Sequence, residues 1–195
     1  MACINPGCGS EAESPALFLT HYRPLAEYAS GILQWPLALV VTQWYEESGK
    51  GMRNICQPYN NPANYGGSGS VHPYPTICIG VANGYISPML YPFFFRVSAS
   101  DANGRSAQQY VRDAYQNGYS VPPTNGYGRV PGSGQRLSAG FWAACAALGA
   151  MGWAQSNYYV PGDLPATAGN ILVNWYRDYF AAMAVGAVGE PVCPC

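Results

Sequence analysis

Trp44-Tyr45-Glu46-Glu47-Ser48-Gly49-Lys50-Gly51 sets two adjacent carboxylates at the end of an apolar segment. Upstream, Pro36-Leu37-Ala38-Leu39-Val40-Val41 supplies a proline suited to a first helical turn, then an apolar run. Ser48-Gly49 and Gly51 supply the stop, so a helix of about four turns is expected with Glu47 in its last turn. Val40, Gln43 and Trp44 lie seven, four and three residues before Glu47, so helical periodicity puts them on its side of the helix. A carboxyl emerging beside such a wall is desolvated, which raises its pKa and suits it to donate a proton near neutral pH. Glu46 points elsewhere, as a solvated neighbour.

Working outward, Ser14-Pro15 opens a second helix through about Leu33, with Ser14 as N-cap and Leu17, Phe18, Tyr22, Leu25 and Tyr28 as its apolar stripe, despite Pro24. From Asn54 to about Pro92 the chain turns rich in Asn, Gly, Pro, Ser and Tyr, with β-prone pieces such as Thr76-Ile77-Cys78-Ile79, which predicts a loop-and-hairpin lobe. Ser100-Asp101 reads as a helix start that Gln108 to Tyr115 continue. A Pro/Gly-rich connection spans Ser120 to Gly134. Small residues from Leu137 to Met151 suit a central helix, and a last helix is expected from about Leu164 to Val185. The 195 residues suit one domain, with a core over about 14–186 between cysteine-containing tails. The expected class is mainly α, with a helical core and a small irregular β-prone lobe.

Composition narrows the function. Charged residues make up 10% of the chain, against roughly 25% in average globular proteins, and the net charge is −1, which gives nucleic acid no electrostatic footing. Sixteen Tyr and five Trp offer surfaces on which apolar sugar faces stack, beside their commoner use in cores. No apolar run is long enough to span a bilayer. The first residues lack the basic region and apolar core of a secretory signal, so any export is expected to use another route. No nucleotide-binding glycine motif and no HExxH motif occur, and no cofactor is expected.

Seven cysteines favour an oxidising destination. Cys56 and Cys78 bracket the Gly/Pro/Asn-rich loop and are the expected disulfide pair. Cys145, inside an Ala-rich run, reads as a buried free thiol. Cys3, Cys8, Cys193 and Cys195 suit local disulfides, a link between the termini or a four-cysteine zinc site. Their spacing is not the usual CxxC, and no metal is expected. His21 and His72 are the two histidines, and neither has a partner legible in the sequence.

Four motifs follow one another along the chain. Glu47-Ser48-Gly49-Lys50-Gly51 ends an apolar helix, and Asn60-Asn61-Pro62-Ala63-Asn64-Tyr65-Gly66 forms a loop. Phe95-Arg96-Val97-Ser98 leads toward Ser106-Ala107-Gln108-Gln109-Tyr110-Val111, and Gly152-Trp153-Ala154-Gln155-Ser156-Asn157-Tyr158-Tyr159 closes the series. In this order and spacing, across roughly Pro36 to Phe180, they resemble the glucosaminidase family that cleaves bacterial peptidoglycan, glycoside hydrolase family 73, which includes flagellar muramidases, autolysins and phage lysins. The resemblance implies a lysozyme-like fold with Glu47 as general acid. It implies a groove in which Asn64, Tyr65, Trp153, Tyr158 and Tyr159 hold sugar rings. The implied partner is the peptidoglycan glycan strand, at the cell wall or in a virion, beside other virion or cell-surface proteins.

Trp153 stands where the family has tyrosine, and Ser156 where it has aspartate. No Asp or Glu occurs between Glu47 and Asp101, the stretch where the family places its second carboxylate. Three routes are open: Asp101 as the base, although its position also suits an N-cap; attack by the substrate's own 2-acetamido oxygen; or closure of an anhydro ring by the muramic hydroxyl, as in lytic transglycosylases. A relative that binds glycan without cleaving it, or a structural part of a phage tail or cell-surface assembly, is the competing reading.

Overall fold

The structure, a computed structural model, describes residues 10–64, 71–90, 105–117, 139–150, 190 and 192. These residues are mainly helical. The elements are α1 (Pro15–Leu33), α2 (Leu37–Glu47), α3 (Ile77–Ile79), a π-helical segment (Gly80–Ile86), α4 (Ser87–Leu90), α5 (Ala107–Asn117) and α6 (Ala139–Ala150).

α1 begins where its sequence says it should. The Ser14 side chain accepts from the Leu17 amide at 3.2 Å, Pro15 occupies the first turn, and the chain leaves through Gln34 in the left-handed region at φ 56°. Phe18, Tyr22, Leu25, Ala29 and Leu33 face the core. α2 follows after three residues and packs on α1. It is buried on all sides from Ala38 to Tyr45, beyond the single covered face expected from the sequence, as suits a helix apolar around its circumference. The α1–α2 corner is locked by two reciprocal bonds to α5: Trp35 Nε1 donates to the Gln108 carbonyl at 3.1 Å, and Gln108 Nε2 donates to the Leu33 carbonyl at 2.8 Å.

Two expectations are corrected. Thr76-Ile77-Cys78-Ile79 opens a helix. The Thr76 hydroxyl caps it by accepting from the Ile79 amide at 3.2 Å, and α3, the π-helical segment and α4 then run on without a break. The β preference of Thr and Ile is weak, and burying Ile77, Val81, Tyr85, Ile86 and Met89 in the common core overrides it. Of the residues expected as a loop-and-hairpin lobe, Asn54 to about Pro92, those described are turns and irregular chain over 54–64 and 71–76 and helix over 77–90, with no strand among them. The helix over Gln108–Tyr115 likewise does not run on from Ser100. It starts at Ala107 behind its own capping box, in which Ser106 Oγ accepts from the Gln109 amide at 3.2 Å while Gln109 Oε1 accepts from the Ser106 amide at 3.0 Å.

The turn-rich stretch is fixed by asparagines and by close approach. Asn60 Nδ2 donates to the Tyr74 carbonyl at 2.8 Å, Asn61 Nδ2 donates to the His72 carbonyl at 2.9 Å, and the Tyr74 amide donates to the Tyr59 carbonyl at 2.8 Å. This layer lies on the helix through Gly80, which meets the Asn60 carbonyl, and Gly84, which lies under the Tyr74 ring.

Cys56 and Cys78 are both disulfide-bonded, and Cys145 is a buried free thiol whose pKa burial pushes up. Cys3, Cys8, Cys193, Cys195 and the expected Leu164–Val185 helix lie outside the described residues. If Cys56 and Cys78 are bonded to each other, peptide mapping without reductant will return one linked peptide holding both. Reduction will then lower stability by about 3 kcal/mol, the chain-entropy value for a loop of this size. A linked peptide joining either cysteine to another would contradict the pairing.

Candidate functional site

α2 delivers Glu47 as its last residue, and the Ser48-Gly49-Lys50-Gly51 turn carries the chain away sharply. Gly49, Lys50 and Gly51 take φ values of 59°, 64° and 82°, a left-handed run that glycine adopts without strain. Ser48 is fully buried; its hydroxyl accepts from the Gly51 amide at 2.9 Å, and its carbonyl accepts from the Arg53 amide at 3.0 Å. The Glu-Ser-Gly pattern is therefore a tight helix exit that leaves Glu47 half-buried at the rim of the core. Gly51 has a second constraint: a β-carbon there would stand 2.8 Å from the Glu13 carboxyl carbon.

Below Glu47 the helix carries Gln43 and Trp44, both fully buried. Tyr85 crosses from the π-helical segment and donates its hydroxyl to Gln43 Oε1 at 2.7 Å. Its ring stands edge-on to Trp44 at 5.3 Å and to Trp35 at 6.2 Å. Burial first, and the charge of Glu47 second, push the Tyr85 hydroxyl well above its ordinary pKa, so it stays a proton donor at all physiological pH values. Gln43 Nε2 and Trp44 Nε1 are buried and have no hydrogen-bond partner among the described residues.

Behind the exit turn lies a pair that the sequence did not disclose. Glu13 Oε1 meets His21 Nδ1 at 3.1 Å, the Glu13 carbonyl accepts from the Tyr45 hydroxyl at 2.9 Å, and the Glu13 amide donates to the Lys50 carbonyl at 2.9 Å. His21 thus has a carboxylate partner that the sequence does not show, and Glu13 ties the segment before α1 to the turn after Glu47. The eight-residue spacing crosses a helix start, so no periodicity reveals it. His72 belongs to the loop and packs edge-on against Tyr74 at 4.9 Å.

Of the expected substrate contacts, Asn64 is exposed, with φ 53°, and its Oδ1 accepts from Asn54 Nδ2 at 2.8 Å. Tyr65, Asp101, Trp153, Tyr158 and Tyr159 lie outside the described residues. Among the described residues no group of three or more His, Cys, Asp or Glu could hold a metal ion, and no helix is long and apolar enough to cross a membrane.

No protein-family model matches the chain, and no curated protein matches it in sequence. Among solved structures it is similar to a peptidoglycan hydrolase from Sphingomonas sp. A1, at 17% identity over 88% of this chain and 97% of that one, with a TM-score of 0.46. At that level the likeness carries no argument about activity.

Proposed function

We propose that this chain is a peptidoglycan-cleaving glycosidase with a lysozyme-like helical domain, and that Glu47 is its general acid. The observation that carries the reading is a half-buried carboxylate at the end of a helix buried on every side, above the fixed Gln43–Tyr85 pair. The motif order supports the narrower assignment, a diverged glucosaminidase or muramidase of glycoside hydrolase family 73. In it, Asn64, Tyr65, Trp153, Tyr158 and Tyr159 line the groove.

In this mechanism Glu47 protonates the glycosidic oxygen as the bond to the anomeric carbon breaks. The second group is Asp101, the substrate's 2-acetamido oxygen or the muramic hydroxyl. The substrate is the β-1,4-linked glycan strand, met at the bacterial cell wall by an autolysin, a phage lysin or a virion component. Mass spectrometry of fragments from purified cell walls separates the routes. New reducing ends mark hydrolysis, and anhydro-muramic ends mark transglycosylation. Retention of labelled glycan without fragments would replace the enzyme reading with a glycan-binding or structural one.

A further inference from the structure

The Gln43 amide is buried and is bonded through its oxygen, with its nitrogen left without a partner among the described residues. Its Oε1 accepts from the Tyr85 hydroxyl at 2.7 Å, and the Tyr85 ring stands edge-on to both Trp35 and Trp44, which anchors the oxygen end of the amide. Nε2 is left as a buried donor with no partner among the described residues, a condition that folded proteins rarely carry without reason. Gln43 precedes Glu47 by four residues on α2, a spacing that puts their Cβ atoms about 5–6 Å apart on one side of the helix.

We infer that Gln43 is a positioning residue for Glu47: its Nε2–H, held in orientation by Tyr85, donates to the Glu47 carboxylate as that group gives up its proton. A donor in that position favours the charge that develops in the transition state over the neutral ground state. The inference rests on Glu47 being the acid. The titratable side chains on the elements around the end of α2 are Tyr85, Glu13, His21, Tyr22 and Cys145, with Tyr45, Glu46, Lys50 and Arg53 on its own stretch. Of these, Tyr85 registers the charge of Glu47.

The test follows the Gln43 side-chain amide and the Glu47 carboxyl by NMR through a pH titration of the full chain. The amide protons are expected to shift with the midpoint of Glu47, and to lose that response in Glu47→Gln. Gln43→Met, similar in volume but without the donor, is expected to raise the Glu47 midpoint by about one pH unit. It should also lower kcat on the order of 100-fold, with KM changed less than about threefold. If Gln43→Met fails to fold, Tyr85→Phe frees the amide and is expected to weaken the coupled shift. A Gln43 amide that stays silent through the Glu47 titration overturns this inference alone. Full turnover by Glu47→Gln overturns the acid assignment beneath it.

Discussion

Glu47→Gln is expected to abolish cleavage of peptidoglycan, by about 1,000-fold or more in kcat, while leaving glycan affinity within about threefold of the unsubstituted protein. A general acid contributes roughly 10²–10⁴ to a rate, and an acid with no second carboxylate in the following stretch belongs at the upper end of that range. The substitution is nearly isosteric, so the Gln43–Tyr85 bond and the packing of Trp44 are kept. Its effect on stability separates function from structure. Glu47→Gln keeps the side-chain volume and removes an unfavourable charge from the C-terminus of α2, so its stability is expected to stay within about 1 kcal/mol of the parent. A carboxylate kept only for its structural contacts would show the opposite, a loss of stability with activity unchanged.

The second large effect concerns the fold that carries the site. Gly80→Ala is expected to destabilise by about 3 kcal/mol, in the overpacking range, because the added carbon falls on the Asn60 backbone carbonyl. Backbone on both sides cannot move aside as a side-chain tip does. In a domain of this size that loss corresponds to a fall in Tm of roughly 6–12 °C. Gly31→Ala is the control. Gly31 is exposed within α1, and a β-carbon there meets nothing within 4 Å, so the exchange should stabilise by about 0.5–1 kcal/mol through helix propensity. Thermal melts of the two variants check both signs. Equal tolerance at both positions would mean that the asparagine-rich layer does not press on the π-helical segment.

How much of this was legible in the sequence depended on whether the signal was local. The start of α1 was legible because Ser14 and Pro15 agree with Phe18, Tyr22 and Leu25, whereas Tyr28, expected on the same stripe, is exposed. So was the end of α2, where Gly49 and Gly51 take left-handed φ values that few other residues accept. The helix over 77–90 was not, since Thr76, Ile77 and Ile79 vote for strand, and Gly80 and Gly84 look like breakers until their close contacts with Asn60 and Tyr74 are known. Glu47 was legible as a carboxylate at the end of an apolar helix. Its surroundings were not: Tyr85 is 42 residues from Gln43, and Glu13 joins His21 across a helix start. The available clue was Gln43 itself, a polar residue on a face otherwise committed to the core.

The measurement that bears most directly on the central claim is a time course of glycan-end release from purified bacterial cell walls by the parent protein and by Glu47→Gln, side by side. The account predicts steady release of reducing or anhydro ends by the parent and none above background by the variant. Equal release by both would remove Glu47 from the chemistry, and no release by either would contradict the enzymatic reading altogether.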